Sequence, residues 1–352
     1  MESIFVTVIG LMSGTSLDGI DLVHVRFNND AYNSFEIVHA ETVPYTKLWK
    51  QKLQDGISFS KEELIKLDRN YGMLLSETIN SFIDKNYIKN IHFISSHGHT
   101  IFHKPDEGIT LQIGNGQIIA SKTNQKVVCD FRTQDVQLGG QGAPLVPIGD
   151  ALLFSEYDSC LNLGGFANIS FNDNENRIAF DICPVNIVLN YYVNTLGFEF
   201  DADGKIASEG KLNKLLLKKL NTLSFYKKQA PKSLGLEWVQ SEIISIIDET
   251  ETDIPVILRT FVEHIAIQIA IVLSGKKNVL ITGGGVFNLF LMDRIRDLSK
   301  TTIIQPNNEV VNFKEALIFA FLGQLRVDNQ INCLSSVTGA KRDHSSGQIF
   351  YP

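Results

Sequence analysis

The sequence contains no CxxC pair, no block of like charge, and no unbroken apolar run approaching the roughly 18 to 20 residues of a membrane span. Its four cysteines, Cys129, Cys160, Cys183 and Cys333, stand far apart. That spacing gives neither a disulfide framework nor a zinc site and suits a reducing compartment. Acids outnumber bases by 39 to 32, a net charge of −7. This argues against a non-specific nucleic-acid binder, which needs basic patches to displace counterions. The most basic run, "KLNKLLLKKL" (211–220), reads as the solvated face of a helix. A Walker A loop is absent as well. Its nearest imitation, "SGKKN" (274–278), has Ala270 where the first glycine should stand and Lys277 where Ser or Thr should. No strand end carries GxGxxG, so a dinucleotide site has little support. The apolar run 4–12 has no basic region before it and leads into glycines and acids, which is not the pattern of a signal peptide. A cytoplasmic protein with no membrane partner is the expectation.

With 44% hydrophobic and 20% charged residues, the chain has the composition of an ordinary folded protein. Its 352 residues allow two domains at roughly 150 residues each. Apolar β-rich runs end in glycine or polar turns at 4–10, 91–98, 126–132, 160–170, 177–184 and 278–285, and "DLVHVRF" (21–27) alternates as a further strand. Helix-period segments lie between them, notably 61–83 and 258–273. In the second, Phe261, Ile265, Ile269 and Val272 form a buried stripe. Strands interleaved with long helices predict an α/β architecture. The Gly/Pro-rich segment 137–150 breaks both periodicities and is the expected domain junction.

Three strands run into related turns: "GLMSGTS", "LNLGGFAN" and "ITGGGVFN". No strict repeat joins them. Glycine lets backbone approach a ligand closely, and free N–H groups in such turns form anion-binding concavities. In "GLMSGTSLDGID" (10–21) the choice lies between a plain hairpin turn and a phosphate loop. The hydroxyls of Ser13, Thr15 and Ser16 favour phosphate, and Asp18 is placed to orient water around Mg²⁺. His97, His99 and His103 lack zinc-ligand spacing; alternation puts the first two on one strand face, hydrogen-bonding in or beside a polar cleft. Asp181 closes an apolar strand, either as a turn cap or as a general base in a partly dry site. Arg132 is an anion clamp or a surface ion pair, and Glu315 sits at a helix start, where the dipole favours an acid.

With these motifs, and with "SHGHTIFHKP", "QIGNG", "VVCDFRTQDVQLGGQGAPLVP", "PKSLG" and "VTGA", the chain resembles the anhydro-N-acetylmuramic acid kinases end to end. The resemblance implies a two-lobed actin-like, sugar-kinase (ribonuclease H-like) α/β fold with a central cleft. Its N-terminal lobe would be 1–140 with 335–352, and its C-terminal lobe 141–334. It implies ATP and Mg²⁺ as cofactors, an anhydrosugar as the small-molecule partner, and a homodimer. The reaction implied opens 1,6-anhydro-N-acetylmuramic acid with water and phosphorylates O6, a step in cell-wall recycling. Gly14, Thr15, Ser16, Leu17, Asp18, Gly19, Ile20 and Asp21 would hold ATP phosphates. Asn162, Gly164 and Gly165 would form a second phosphate turn, and Gly283, Gly284 and Gly285 with Asn288 would border the adenosine. Asp181 matches the catalytic aspartate, while His97, Arg132, Asn186 and Glu315 fall on the sugar side.

The chain departs from the family pattern after Asp181. Where members carry Thr-Gly-Pro-Gly-Asn, it has Ile182-Cys183-Pro184-Val185-Asn186, so the loop must avoid positive φ at Cys183 and Val185. His99 replaces a glutamine, and Asn312-Phe313 replaces Asp-Ala. The competing readings are a sugar- and nucleotide-binding sensor with little turnover and a metal-dependent hydrolase built on the histidines.

Overall fold

The computed structural model describes residues 5–352 except Thr15, Asp30 and Glu175. It divides into two compact units, Met1–Ser155 with Phe313–Pro352, and Glu156–Asn312.

Unit 1 is built on seven strands: β1 (Phe5–Ser13), β2 (Gly19–Asn28), β3 (Ala31–Pro44), β4 (Phe93–Lys104), β5 (Ile109–Ile113), β6 (Val127–Cys129) and β12 (Gln348–Phe350). β1, β2 and β3 form an antiparallel meander. On the other side of β1, β4 and then β6 run parallel to it. Unit 2 holds β7 (Ser159–Leu163), β8 (Phe166–Asp173), β9 (Asn176–Pro184), β10 (Asn278–Thr282) and β11 (Thr302–Ile304). Here too an antiparallel meander, β7-β8-β9, is flanked by two parallel strands, β10 and β11. The spatial orders β3-β2-β1-β4-β6 and β9-β8-β7-β10-β11 are therefore one topology used twice. That duplication, absent as a sequence repeat, is the ribonuclease H-like arrangement that the motifs implied.

Alternation along β1 decides how unit 1 packs. Ile9 and Leu11, with Ile20 and Leu22 of β2, face the helix Lys61–Lys85, whose Leu67, Tyr71, Leu75, Ile79 and Phe82 recur at helical spacing. Ser60 and Glu63 start that helix with a capping box. The opposite face receives the helix Asn308–Val327 at very short range. Gly10 allows this, because a Cβ there would collide with the Ala316 carbonyl and the Ala320 methyl. In unit 2 the helix Ile254–Leu273 plays the core role, with Phe261, Ile265 and Ile269 fully buried and Val272 partly so, as the periodicity predicts. By length and composition alone this 20-residue helix could cross a membrane. Its buried residues instead pack with the strands of unit 2.

Three sequence expectations change. The units meet at 155/156 and 312/313, whereas the expected boundaries fell near 140 and 334. The segment 137–150 stays in unit 1 because Gln141 N donates to Thr338 O and because the buried Asp150 pairs with the buried Lys314 at 2.7 Å. Glu315 does not start a helix: the helix begins at Asn308, where the Asn307 side chain accepts from Val310 N, two turns earlier. The 14-residue strand β3 was not anticipated, since its mostly half-exposed residues give little alternation. The basic run 211–220 does form a helix, Lys214–Asn221, burying Leu216 and Leu220 and leaving Lys218 and Lys219 outward.

The tight seating of the Asn308–Val327 helix yields a stability prediction. Gly10→Ala should destabilise unit 1 by about 1–3 kcal/mol through overpacking, seen as a lower urea midpoint with unchanged secondary structure.

Candidate active site

The turn after β1 is short. Leu17 takes a left-handed φ of 61°, and its N–H approaches the Gly14 carbonyl at 3.4 Å. Ser16 and Asp18 are its exposed polar side chains, while Thr15 lies outside the described residues. Gly19, Ile20 and Asp21 already belong to β2. Gly19 lies flush on β3, where a Cβ would come 2.5 Å from the Val43 carbonyl oxygen. The Ile20 side chain is core, so this residue offers a ligand only its backbone. Asp21 accepts from Thr42 Oγ1 at 2.6 Å. Burial raises its carboxyl above the ordinary value, against the pull of the Thr42 bond, and the Asp18 charge adds to the rise.

Ser13, at the root of this turn, faces inward. Its hydroxyl donates to Gly98 O at 2.9 Å and accepts from Tyr71 at 2.8 Å. Gly98 has a φ of 74°, which breaks the alternation of β4. His97 and His99 therefore do not share a face: the His97 ring packs at a tilt against Phe319 and the His99 ring meets Tyr71. His97 is buried, with Nδ1 2.9 Å from Gly98 O and Nε2 accepting from Arg132 Nε at 2.9 Å. Arg132 also donates to Gly142 O at 2.9 Å. Burial lowers its pKa to about 10, and the Glu315 carboxylate opposes that shift. Glu315 is reached by solvent yet crowded enough that lost hydration raises its carboxyl, with Arg132 and Lys314 opposing and Asp21 adding. Unit 1 thus gathers His97, Arg132, Glu315 and Asp21 into one electrostatic group.

Unit 2 gathers the other predicted residues. The β7–β8 hairpin turns at Gly164 and Gly165, the same topological position as the turn 14–18 between β1 and β2. Gly283, after β10, takes a φ of 86°; a Cβ on it would lie 2.5 Å from Asn162 Oδ1 and 2.7 Å from Leu163 O. Only glycine permits that conformation and that contact together. Asn186 N donates to Gly164 O at 3.3 Å, and its side-chain amide lies beside Gly284. Asn162, Gly164, Gly165, Gly283, Gly284, Gly285 and Asn186 are consequently one surface. Asn288 stands at its edge, capping the helix Leu289–Leu298 by accepting from Leu291 N at 2.9 Å.

Asp181 lies on β9 opposite Asn168, beside a bulge that leaves Ile182 unpaired. Bulges re-aim neighbouring side chains. Its Oδ2 accepts from Leu234 N at 2.8 Å, and its own N–H donates to Lys232 O at 3.0 Å. Burial raises the carboxyl above the ordinary aspartate value, with the Leu234 N–H opposing. The sequence carried "PKSLG" as a motif without a role; its task here is to grip Asp181 from a distant stretch of chain. Val185 has a φ of −130°, and Cys183 is not among the positive-φ residues, so the substituted loop fits without left-handed backbone.

Asp135 is a second residue that sequence reasoning passed over. It is fully buried, with Oδ1 accepting from Thr338 Oγ1 at 2.7 Å and Cys333 Sγ at 3.0 Å, and Oδ2 accepting from Gly142 N at 2.7 Å. The His344 ring also lies close, so three metal-ligating residue types meet. Both Asp135 oxygens are committed to protein donors, which makes the cluster a hydrogen-bonded node.

A family model described as anhydro-N-acetylmuramic acid kinase matches residues 6–352. The chain is 33% identical to the anhydro-N-acetylmuramic acid kinase of Haemophilus influenzae, over 97% of each chain. It is also 33% identical to that of Shewanella woodyi, over 97% of this chain and 98% of the relative. Among solved structures, the activator of 2-hydroxyisocaproyl-CoA dehydratase from Clostridium difficile with bound ADPNP overlays with a TM-score of 0.47 and 15% identity, covering 92% of this chain and 97% of that one. The sequence matches place the protein among the kinases. Within that class, the chain belongs to the anhydro-N-acetylmuramic acid kinase family.

The Asp135 node can be tested without any assay of activity. Thr338→Val removes a donor to a buried carboxylate and should cost about 1.5–3 kcal/mol. Amide exchange in 139–142 and 333–346 should quicken before that of the β1–β4 core.

Proposed function

We propose that the protein uses ATP and water to open the 1,6-anhydro bridge of 1,6-anhydro-N-acetylmuramic acid and to phosphorylate the freed O6. The products are the 6-phosphate sugar and ADP, in a cytoplasmic step of cell-wall recycling. The setting of Asp181 carries this reading, beside the family membership. A general base for water must be ionised at neutral pH and yet more basic than a fully hydrated aspartate. Burial raises the Asp181 carboxyl, and the Leu234 N–H binds one oxygen and leaves the other to take a proton.

In this mechanism Asp181 removes a proton from water as the water oxygen bonds C1. The C1–O6 bond breaks, and its electron pair stays on O6. O6 then bonds the γ-phosphorus, and the bond to the β–γ bridging oxygen breaks to give ADP. By the family resemblance, residues 14–21 and the turn with Asn162, Gly164 and Gly165 would offer backbone N–H groups to the phosphates, with Gly283, Gly284, Gly285 and Asn288 bordering the adenosine. Arg132, Glu315, His97 and Asn186 serve the sugar side. Asp18 and Asp21 are carboxylates of the kind that hold Mg²⁺ directly or through water, and the ion would neutralise phosphate charge there. A small-molecule acceptor, with neither nucleic acid nor membrane, accords with the net charge of −7. The family resemblance adds a homodimer.

Incubation with ATP and 1,6-anhydro-N-acetylmuramic acid in ¹⁸O water should give ADP and 6-phosphate sugar in equal amounts, with the label at C1 by mass spectrometry. Binding of both ligands without product would favour the sensor instead. Asp181→Asn should lower kcat by about 10²–10⁴-fold while leaving nucleotide binding intact. In the wild type, kcat should fall with decreasing pH as Asp181 protonates, at a pH above the ordinary aspartate pKa of 3.8. An Asp181→Asn enzyme of undiminished rate would remove this residue from the mechanism.

A further inference from the structure

The His97 ring is spent on protein. Arg132 has donors only, so the His97 Nε2 that receives Arg132 Nε at 2.9 Å must carry the lone pair. The proton therefore sits on Nδ1, where Gly98 O accepts it at 2.9 Å. The same carbonyl accepts the Ser13 hydroxyl at 2.9 Å. Gly98 can present its oxygen to both because of its φ of 74°. A side chain there would also meet Ile113 O at 2.5 Å, so the position admits glycine alone. Phe319 packs against the ring at a tilt of 50°, with centroids 4.5 Å apart, and limits its movement. Burial and the Arg132 charge both favour the neutral ring.

We propose that His97 is a positioning residue for Arg132: a neutral imidazole, fixed in its Nδ1–H tautomer by the Gly98 carbonyl, that aims the guanidinium at the acceptor sugar without touching the sugar itself. This deepens the reading of Arg132 given above and rests on it. Two of the five guanidinium N–H groups are used, Nε on His97 and one Nη1 hydrogen on Gly142 O, which fixes both the position and the plane of the fork. Three N–H groups are left for Glu315 and for an oxygen-rich ligand. Because Ser13 shares the Gly98 carbonyl, the root of the phosphate turn and the support of Arg132 are anchored on one oxygen atom.

The test combines ring NMR with steady-state kinetics on the full-length protein. In the wild type, the ¹⁵N shifts of His97 should show an unprotonated Nε2 and a protonated Nδ1. In Arg132→Lys the Nε2 shift should move, while the ring remains neutral. His97→Leu should raise KM for the anhydrosugar by about tenfold or more, as loss of a hydrogen bond to a charged group predicts, and leave KM for ATP little changed. His97→Gln, whose amide oxygen can accept from Arg132, should recover most of that loss. In the Arg132→Lys background, His97→Leu should cost little more.

An Nε2–H or cationic ring in the wild type would overturn the proposal. So would equal impairment of the Leu and Gln variants, or full additivity with Arg132→Lys, which would mean that His97 meets the sugar directly. If the wild-type protein does not turn over the anhydrosugar at all, the substrate reading fails. The ring spectra, and their response to Arg132→Lys, then decide the His97–Arg132 coupling without it.

Discussion

One buried carboxylate governs much of unit 1. A charge removed from water costs several kcal/mol unless donors replace its hydration, and Asp135 is fully buried. Three donors answer it, from Gly142, Cys333 and Thr338. Two of them lie 198 and 203 residues further along the chain. To satisfy this single group, the Gly/Pro-rich loop and the C-terminal segment must both fold onto the short helix that bears it. The effect extends outward. Gly142, once held by its N–H, offers its carbonyl to Arg132, and Arg132 in turn rests on His97. The geometry of the Arg132 guanidinium is thus inherited in part from Asp135, a residue enclosed by protein donors.

Unit 2 reaches its site by a different means. There the constraint is steric: Asn162 and Leu163 press against Gly283, and Leu163 against Gly285, leaving no room for a Cβ on either glycine. Side-chain hydrogen bonds do little of the work, and main chain lies against main chain. Such a surface presents N–H groups at fixed spacing with little entropy left to lose. Asp181 beside it is set by a bulge and by a grip from the 232–234 segment, again largely through backbone.

Much of this was legible in the sequence, for physical reasons that can be named. Periodicity located the strands that end in glycine turns and the stripe Phe261, Ile265, Ile269, because one buried face writes its period into the chain. Motif resemblance singled out Asp181, Arg132 and Glu315, which the sequence alone left open between chemistry and ordinary surface roles. Contacts between distant segments were not legible. Nothing local in Asp135 distinguishes it from a surface acid, and the partners of Asp181 lie some fifty residues away in a stretch with no periodic signal. The histidines failed for a different reason. Alternation assumes β backbone throughout, and a single left-handed glycine at 98 sends His97 and His99 to opposite faces. Strand β3 escaped because a half-exposed strand has no consistently apolar side.

The twice-used topology has a consequence for how the two halves have diverged. The turns 14–18 and 164–165 occupy the same place in each half and both contain glycine, although the strands around them share no recognisable sequence. The third strand of each meander has gone separate ways. In unit 2 it carries Asp181, whereas in unit 1 the corresponding strand supplies Thr42, which only steadies Asp21. The two halves thus share one frame and differ in what their third strands carry. One half sets on this strand a carboxyl whose pKa is raised by burial, and the other sets there a hydroxyl that serves the carboxyl of the neighbouring strand.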